Sequence, residues 1–407
     1  MTDRYVDCGV LYDGTGTETI SDARILIEDG RIHDVGPQED VPEPGDAERI
    51  DHSGEFVMPG LVDAHVHLVG TRKMDPFSRV TELDREALRA ARATVDCRKL
   101  LDAGVTTIRD MSSRIALGVR DAIEEGEIAG PRVHTSGVGI SQTAGHSDMH
   151  FLPHQWIEQQ DPSPVADGAD ACRRSARKRI REGVDCIKIM ATGGVLSEKD
   201  HPQHSHFTDA ELQAFVEEAH RVDIPVAAHA QATAGIKDAL RNRVDTIEHG
   251  IYLDDEAIEM FLERDAVLVP TLSIMQRICT EGEEHGIPPW GIQKAHDARE
   301  AHFESTRLAY EADVTIAAGT DFIGPELVPH GENAMELELY VEEVGMQPIE
   351  ALHTATGAAA EALADDDIGT VTPGGHADLV ALSDDPSADI SALRSSIEAV
   401  YKGGVAV

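Results

Sequence analysis

Two histidines, His65 and His67, stand at the end of a short apolar run in the segment MPGLVDAHVHL, residues 58–68. Side chains two residues apart on a strand point to the same face of the sheet. If the run forms a strand, both imidazoles leave its end in parallel, which suits two ligands of one metal ion. The alternative is that one or both are only polar residues at a strand end. A metal site therefore needs further ligands from elsewhere in the chain.

Single polar residues recur at the ends of later apolar segments. His229 lies in VAAHA, His249 lies in TIEHG, and Asp321 follows TIAAGT. A hydrogen-bonded core histidine, or an aspartate that caps a helix, would explain any one of them. Equivalent positions at the ends of separate strands are much harder to obtain by chance. Imidazoles together with a carboxylate suit zinc or a similar divalent ion.

Lys188 lies inside the apolar segment CIKIMA, between Ile187 and Ile189. An ammonium buried there without a partner is costly, so it should pair, lose its proton or be modified. The alternative is a lysine that points outward between helices. A neutral lysine amine can add carbon dioxide to form a carbamate, an anion with two oxygens that can bridge two metal ions. A carboxylated Lys188 is therefore our hypothesis for this position.

The elements that must position these side chains are short apolar segments, mostly followed by helical patterns. Eight of them recur, at residues 62–67, 106–110, 132–137, 186–191, 226–230, 246–250, 267–272 and 315–321. Eight strands with helical crossovers predict an α/β fold in which a parallel sheet closes into a (β/α)8 TIM barrel. A doubly wound open sheet is the alternative. Barrel enzymes carry their active sites at the carboxyl ends of the strands, where the polar residues lie.

Helix signals support this alternation. Residues 82–103 predict a helix that stops at Gly104, and Thr208 with Glu211 has the spacing of a capping box. Pro348 stands where the first turn of a later helix would begin.

Both ends of the chain read as short strands with turns, and a hairpin is predicted at Glu28–Arg31. We therefore expect a small β-sandwich domain built from residues 1–59 and 360–407, and a TIM-barrel domain at residues 60–359.

Composition narrows the function classes. The 75 acidic and 35 basic residues give a net charge of -40, and the acidic residues are spread along the whole chain. A folded protein that repels itself this strongly suits a salt-rich cytoplasm and resembles proteins of haloarchaea. Disorder is the competing explanation of high charge, but the regular apolar strands argue against it. Nucleic acid is disfavoured as a partner because there is no basic face to neutralise phosphates.

Further features of the sequence bear on where the protein works and what it binds. The chain has no apolar run of membrane-spanning length, and the residues MTDRYVDCGVLYDG lead us to expect no secretory signal. Its five cysteines are scattered without metal-binding or disulfide spacing. We expect a cytoplasmic homo-oligomer whose partner is a small-molecule substrate, with neither nucleic acid nor membrane bound.

The segments PGLVDAHVH, IKIMATGGV, AAHA, IEHG and AAGTD resemble the amidohydrolase superfamily over nearly the whole chain. They are similar to the branch that contains imidazolonepropionase-like hydrolases and Xaa-Pro, Xaa-Arg and Xaa-Lys dipeptidases. In that branch, a lysine in the IKIMATGG context is associated with a carboxylated, bridging ligand and a two-metal centre. Imidazolonepropionase itself resembles a single-metal variant without that lysine, so Lys188 weighs against that identity.

The resemblance implies a site with two divalent metal ions, for which zinc is the first expectation. It implies that one metal is held by His65, His67 and Asp321, and the other by His229 and His249. Carboxylated Lys188 and a hydroxide are implied as bridges. Two cations lower the pKa of a shared water and polarise the scissile carbonyl. Asp321 then accepts the proton of that water and delivers it to the leaving nitrogen.

Residues near these ligands are predicted to contact the substrate. His146, in the turn Gly145-His146-Ser147-Asp148, is expected to polarise the carbonyl, although similar enzymes have a Gly-His-Gly-Asp turn there. The other expected contacts are the backbone of Thr192, Gly193 and Gly194, and the side chains of Gln231 and His330. A structural role is the alternative for His330. The histidines of HPQHSH, which are His201, His204 and His206, are expected to form a solvent-exposed lid rather than a metal site.

The function that these inferences favour is a metal-dependent amidohydrolase that cleaves an amide C–N bond, in a dipeptide or an N-acyl amino acid. The same scaffold also suits an ester, lactone or organophosphate hydrolase, and a cyclic amide hydrolase or deaminase. A third class is a non-catalytic assembly module, which should have lost metal ligands that this sequence retains.

The charge makes a testable prediction about stability. Because the screening length grows from about 3 Å at 1 M salt to about 30 Å at 0.01 M, desalting exposes the folded chain to its own repulsion. We expect the melting temperature, measured by calorimetry, to fall steadily as salt is removed. A melting temperature that is independent of salt would contradict the halophilic interpretation and leave the enzymatic one untouched.

Overall fold

The computed structural model describes residues 3–75, 80–82, 85–153, 155 and 165–407. Its strands are β1 Arg4–Tyr12, β2 Thr19–Glu28, β3 Arg31–Pro37, β4 Glu48–Pro59, β5 Leu61–Val66, β6 Val105–Asp110, β7 Arg132–Thr135, β8 Ile187–Met190, β9 Val226–Ala230, β10 Thr246–His249, β11 Val267–Val269, β12 Leu379–Leu382, β13 Ile397–Lys402 and β14 Val405–Ala406.

The α-helices are α1 Glu86–Asp102, α2 Arg114–Glu124, α3 Ala169–Glu182, α4 Asp209–His220, α5 Thr233–Arg241, α6 Asp255–Arg264, α7 Leu272–Glu281, α8 Pro289–Glu311, α9 Ala334–Leu339, α10 Pro348–Thr354, α11 Gly357–Leu363 and α12 Ala392–Ser395. A short π-helix, Tyr340–Val344, follows α9. Every helix within the described ranges is too short or too polar to cross a lipid bilayer.

Two parallel sheets form the middle of the chain. Strands β5, β6 and β7 form one, and β8 to β11 form the other in sequence order. Nearly every residue of these strands is buried, as expected when helices cover a parallel sheet. The predicted strands at residues 62–67 to 267–272 are therefore confirmed, each as one of β5 to β11.

The predicted eighth strand, residues 315–321, is wrong as a regular strand in this fully described stretch. It pairs with β11 only through the isolated bridge Leu268–Ile316, and the chain then meets β5 through the bridge Val66–Phe322. Backbone geometry explains the interruption. A side chain at Gly319 would lie 2.7 Å from His65 Cβ, and Asp321 has a left-handed φ of 56°. Residues 315–321 therefore run between the edge strands β11 and β5 without a continuous ladder of backbone hydrogen bonds to either strand.

The helix signals are confirmed. Helix α1 lies inside the predicted range 82–103, of which residues 83 and 84 are outside the described residues. Thr208 and Glu211 form both hydrogen bonds of a capping box at the start of α4. Pro348 is the first residue of α10.

Both ends of the chain contribute to one mixed sheet of seven strands, in the order β14-β13-β12-β4-β1-β2-β3. The predicted hairpin is confirmed, because Glu28 pairs with Arg31 where β2 meets β3. The described strands of the two ends give this single sheet rather than two separate sheets. A two-layer sandwich therefore stays a prediction.

Asp378 connects the seven-stranded sheet formed by the two chain ends, called the terminal sheet below, to β7. Its carboxylate accepts two hydrogen bonds from the Arg132 guanidinium, at 2.7 Å and 3.2 Å, and a third from the Gly403 backbone at 2.7 Å. Lys402 of β13 adds a hydrogen bond from Nζ to the Gly130 carbonyl at 2.7 Å. A bidentate arginine–carboxylate pair of this kind is strong when it is shielded from water.

We expect Asp378→Ala to lower the free energy of unfolding by about 3 kcal/mol, because it leaves a largely buried guanidinium without its partner. Denaturant unfolding followed by circular dichroism measures this. The exposed neighbour Asp384, changed to alanine, is the control and should shift stability by less than about 0.5 kcal/mol. Equal effects of the two substitutions would contradict the role of Asp378.

Candidate active site

One large cavity, of about 1270 Å³, opens beyond the carboxyl ends of the parallel strands. Its lining includes all six residues predicted as metal ligands, which are His65, His67, Lys188, His229, His249 and Asp321. They come from β5, the position just after it, β8, β9, β10 and the segment after β11. The structure therefore brings together side chains that are far apart in the sequence.

His65, His67 and Asp321 form the tightest group. Asp321 Oδ1 lies 3.0 Å from His67 Nε2 and 3.6 Å from His65 Nε2. One ligand atom from each residue lies within 4.8 Å of the others, which is a spacing suited to a single metal ion. The backbone holds this approach, since the Asp321 N–H donates to the His65 carbonyl at 2.7 Å.

His229 and His249 lie beside this group. The six residues His65, His67, Lys188, His229, His249 and Asp321 are called the cavity floor below. The ring centroids of His229 and His249 are 4.5 Å apart, and the His249 ring lies 5.2 Å from that of His65. His249 Nδ1 is hydrogen-bonded to Thr271 Oγ1 at 2.8 Å, and His229 Nε2 donates to the Gly193 carbonyl at 3.1 Å. These bonds hold both rings in place before any ligand binds.

The backbone at this floor is strained. His249, Thr271 and Asp321 all have left-handed φ angles, of 74°, 58° and 56°. Each such residue other than glycine costs about 1–3 kcal/mol and persists only where the surroundings hold it. Strain of this kind clusters at functional sites, and here all three residues line the cavity.

Lys188 points into the cavity from β8 and is 2% exposed. Its Nζ has no hydrogen-bond partner among the residues that the structure describes. Burial lowers the pKa of Lys188 to about 8, against the opposing charges of Glu248 and Asp321. A buried amine without a partner, whose pKa burial lowers towards neutral pH, fits a residue that is modified or that meets a ligand.

Burial also sets the protonation of the other groups. It holds the pKa values of His65, His229 and His249 well below the usual range, so these rings are neutral near pH 7. Burial would raise the pKa of Asp321, but its contacts with His65, His67 and Lys188 outweigh burial and lower that pKa. Neutral imidazoles and an ionised carboxylate are the forms that bind divalent metals. The donor set therefore fits a metal.

Behind His65 lies a buried ion pair that sequence reasoning missed. His65 Nδ1 donates to Glu248 Oε2 at 2.6 Å, and Glu248 Oε1 accepts from Arg109 Nη2 at 2.9 Å. Arg109 also donates to the carbonyls of Ala64 and Ala362, at 2.7 Å and 2.9 Å. Because Nδ1 carries the proton, Nε2 is left as the ligand atom, as in many metal sites. The sequence does carry one sign of this ion pair, because Arg109 and Glu248 are charged residues inside the apolar strands β6 and β10.

Asp63 links the end of β5 to the segment that carries Asp321. It accepts hydrogen bonds from the His65 backbone at 3.0 Å, from Thr320 Oγ1 at 2.7 Å and from Asn333 Nδ2 at 2.6 Å. Burial raises the pKa of Asp63 to about 6, although these bonds oppose the rise. Its carboxylate joins β5 to the segment that carries Asp321.

His146 lies over the same floor. Its ring stacks on His229 with the centroids 4.1 Å apart, and its Nδ1 lies 2.5 Å from Ser197 Oγ. The turn that carries it is closed by a hydrogen bond from the Ala144 N–H to Asp148 Oδ2 at 2.8 Å. Ser147, which replaces the glycine expected from the resemblance, adopts a left-handed φ of 70°. The serine is therefore compatible with the turn at a modest cost in strain.

The remaining predicted contacts divide into two groups. Gln231 lines the cavity, whereas Thr192, Gly193, Gly194 and His330 are not among the lining residues of the described chain. The Gly193 carbonyl accepts from His229, and Thr192 Oγ1 accepts from the Gln231 N–H at 2.9 Å. Substrate contacts of Thr192, Gly193 and Gly194 stay a prediction. His330 is buried, and burial lowers its pKa to about 3.

The predicted solvent-exposed lid is only partly correct. His201 and His204 are exposed, but His206 is buried and burial lowers its pKa to about 4. The reason is a hydrogen bond from the His206 backbone to the Ala191 carbonyl at 2.7 Å, which draws this end of the segment against β8.

The outer wall of the cavity is largely apolar. It includes Ile115, Val138, Leu152, Ile274, Met275, Ile278 and Trp290, with Arg89 and Arg114 among the charged residues near them. A wall of this composition above a polar floor suits a small organic molecule that carries one polar, reactive group.

Comparison with known proteins agrees with this geometry. The profile of the amidohydrolase family matches residues 56–407. The chain is 33% identical to the ochratoxinase of Aspergillus niger, over 97% of this chain and 85% of that protein. It is 27% identical to the imidazolonepropionase of Cereibacter sphaeroides, over 94% of this chain and 93% of that protein.

Solved structures give the same result. The crystal structure of a Xaa-Pro dipeptidase with methionine bound in the active site matches with a TM-score of 0.89 and 32% identity, over 99% of both chains. The family match includes the parallel sheets, all six cavity-floor residues and the C-terminal strands. The chain belongs to the amidohydrolase family.

Proposed function

We propose that this protein is a metal-dependent hydrolase that cleaves the amide C–N bond of a small substrate, such as a dipeptide or an N-acyl amino acid. The observation that carries the proposal is the buried Lys188 amine, which has no partner among the described residues and lies on one floor with three imidazoles whose pKa values are lowered by burial. An arrangement without a ligand would leave this amine unsatisfied at a high cost.

The residues divide between two divalent metal ions, for which zinc fits the nitrogen and oxygen donors best. His65, His67 and Asp321 would hold one, and His229 and His249 the other. Lys188 would add carbon dioxide through its neutral amine, forming an N–C bond and releasing one proton. The carbamate that results has two oxygens and a negative charge, so Lys188 would change from a buried amine into a ligand for both ions.

The chain's own residues would then carry the proton and orient the substrate. Divalent ions at this floor, when bound, supply the Lewis acidity that activates water and polarises a carbonyl. The Asp321 carboxylate is ionised and is placed by the His65 carbonyl, so it can accept a proton and return it to the leaving nitrogen. His146, stacked on His229, would donate a hydrogen bond to the substrate carbonyl oxygen.

The relatives support amide hydrolysis but leave the substrate open. The names of three of them indicate action on Xaa-Pro dipeptides, on ochratoxin and on imidazolonepropionate. The largely apolar outer wall favours substrates with a bulky apolar group beside the amide. A panel of Xaa-Pro, Xaa-Arg and N-acyl amino acids, assayed with ester and organophosphate analogues in high salt, would identify the class.

The competing functions differ in what they require of the site. Ester, lactone or organophosphate hydrolysis and cyclic amide hydrolysis or deamination use the same floor, so only the assay panel separates them. A non-catalytic assembly module needs no converging ligands, whereas the side chains of all six line the cavity here. This convergence favours an enzyme.

The proposal extends to the architecture and the setting of the enzyme. The isolated bridges Ile140–Ile189, Leu268–Ile316 and Val66–Phe322 lie between the two parallel sheets and the segment after β11. They support a closed barrel made of β5 to β11 and the segment after β11, with the terminal sheet as the small second domain that the sequence predicts to be a sandwich. A homo-oligomer in a salt-rich cytoplasm, with no nucleic acid or membrane as a partner, stays part of the proposal.

Replacement of Lys188 tests the metal centre. We expect the purified protein to hold about two metal ions per chain and Lys188→Ala to hold one or none, because the bridging ligand is lost. Hydrolysis should fall by at least ~10²-fold. Elemental analysis and kcat/KM measure these effects, with the exposed lysine of α3, Lys178→Ala, as the control. Unchanged metal content in Lys188→Ala would contradict the proposed bridge.

Replacement of Asp321 tests the proton transfer. We expect Asp321→Asn to lower kcat by about 10²–10⁴-fold, because an amide can neither accept nor return the proton. Asp313→Asn is a matched control, since Asp313 is exposed and has a similar left-handed φ of 60°. Steady-state kinetics of both variants with metal content measured in parallel would show the difference. An Asp321→Asn enzyme with wild-type kcat would exclude this role.

A further inference from the structure

The segment between β8 and α4 carries a series of polar contacts that ends on His146. Within this segment, Val195 to Glu198 line the cavity. Lys294 of α8 binds the segment from outside, because its Nζ donates to the carbonyls of Ser197 at 2.6 Å and Asp200 at 2.7 Å. A third contact joins Nζ to the Gly194 carbonyl at 3.5 Å. The three donors of one ammonium thus meet three carbonyls of a single short loop.

Lys294 is held in this position rather than free in solvent. Its side chain is 17% exposed, and Nζ lies 5.5 Å from the centroid of the Trp290 ring, which lines the cavity. Burial lowers the pKa of Lys294, and the charge of Asp200 opposes that shift. The contacts with backbone carbonyls mean that this lysine fixes the path of the loop.

Asp200 links the loop to His146. Its side chain is 2% exposed, and Oδ1 accepts a hydrogen bond from the Gly194 N–H at 3.3 Å. Its Oδ2 is buried, has no hydrogen-bond partner among the described residues, and lies 3.7 Å from His146 Nδ1. A buried carboxylate oxygen is costly unless a donor or a cation faces it. The His146 ring is the group that faces it here.

The His146 ring is enclosed on three sides. Ser197 Oγ lies 2.5 Å from Nδ1, and the His229 ring covers one face at a centroid distance of 4.1 Å. A side chain at Gly194 would come within 2.3 Å of Nδ1, so the glycine leaves space for the ring. The ring lines the cavity, and Nε2 is the nitrogen left to meet a bound molecule.

We propose that Asp200 and Lys294 are positioning residues that hold His146 so that its Nε2 faces the substrate carbonyl. Lys294 sets the path of the loop, and Asp200 and Ser197 then hold the Nδ1 edge of the ring. The inference rests on the proposed function, in which His146 polarises the carbonyl. Asp200 and Lys294 act only through His146.

The first test removes the ammonium. We expect Lys294→Met to lower kcat by about 10–100-fold, because misplacing a catalytic group by about 1 Å costs up to ~10²-fold. KM and metal content should stay within about threefold of the wild type, and Lys294→Arg should restore part of kcat because it keeps donors for the carbonyls. The matched control is Lys237→Met, which removes a lysine of similar exposure, 15%, that is paired with Asp254 and Glu256 away from the cavity.

The second test separates positioning from a general loss of structure. In a His146→Ala background, Lys294→Met and Asp200→Asn should have little further effect on kcat, because residues that act through one group are not additive. The same fold-loss in both backgrounds would overturn the proposal. An unchanged kcat in Asp200→Asn would also overturn the proposal. Because this variant keeps the shape of the side chain, it provides the test if Lys294→Met fails to fold.

The third test does not depend on activity. Crystal structures of the metal-free wild type and of metal-free Asp200→Asn should differ at His146. In Asp200→Asn we expect the ring to be turned relative to the wild type, with its Nδ1 no longer within hydrogen-bonding distance of Ser197. A ring that stays in place would overturn the proposal. If the wild type hydrolyses no substrate in the panel, the proposed function fails, whereas this comparison still decides whether Asp200 holds the ring.

Discussion

A buried amine without a counterion in contact is the constraint on which this site depends. The Lys188 side chain is supplied by a strand whose four residues are all buried, so it cannot turn to solvent without breaking β8. The floor around it offers imidazoles that burial keeps neutral, together with one ionised carboxylate. Folding therefore leaves the Lys188 amine without a hydrogen-bond partner among the described residues, and this is the reason for proposing that metal ions and a modified Lys188 complete the site.

The scaffold supplies the free energy that keeps this floor in place. Helices cover the parallel sheets, and the largest apolar cluster contains residues from both sheets and from the surrounding helices. On β6 and β10, next to cluster residues Ile108 and Ile247, Arg109 and Glu248 form an ion pair that is almost entirely buried and that fixes the tautomer of His65. Breaking such a pair costs about 3–5 kcal/mol, so the orientation of His65 is tied to the stability of the strands themselves.

Much of the set of residues that line the cavity floor could be predicted because it depends on local periodicity. His65 and His67 are two apart in one strand segment, so their common direction follows from the alternation of side chains. The apolar neighbours of Lys188 predict a buried strand but not the direction of its side chain. Glu248 could not be paired with His65 in the same way, since the two are 183 positions apart and meet only through the order of the strands. The same holds for Lys294, whose contacts with the loop after β8 span 94 to 100 positions.

The errors in the predicted fold have a related cause. The run TIAAGTD has the composition of a strand, but close approach at Gly319 and the left-handed backbone at Asp321 interrupt its ladder. Thr192 and Gly193 stand close to Lys188 in the sequence, and their hydrogen bonds to Gln231 and His229 were not predicted either. Backbone turns of this kind depend on packing against distant residues, and hydrophobic periodicity does not encode them.

The most direct test of the central claim is X-ray diffraction from crystals of the metal-loaded protein, collected at and away from the zinc absorption edge. The account predicts two anomalous peaks, one beside His65, His67 and Asp321 and one beside His229 and His249, with electron density that continues beyond Lys188 Nζ as a carbamate. Density that ends at Nζ, with no anomalous peak on the cavity floor, would contradict it.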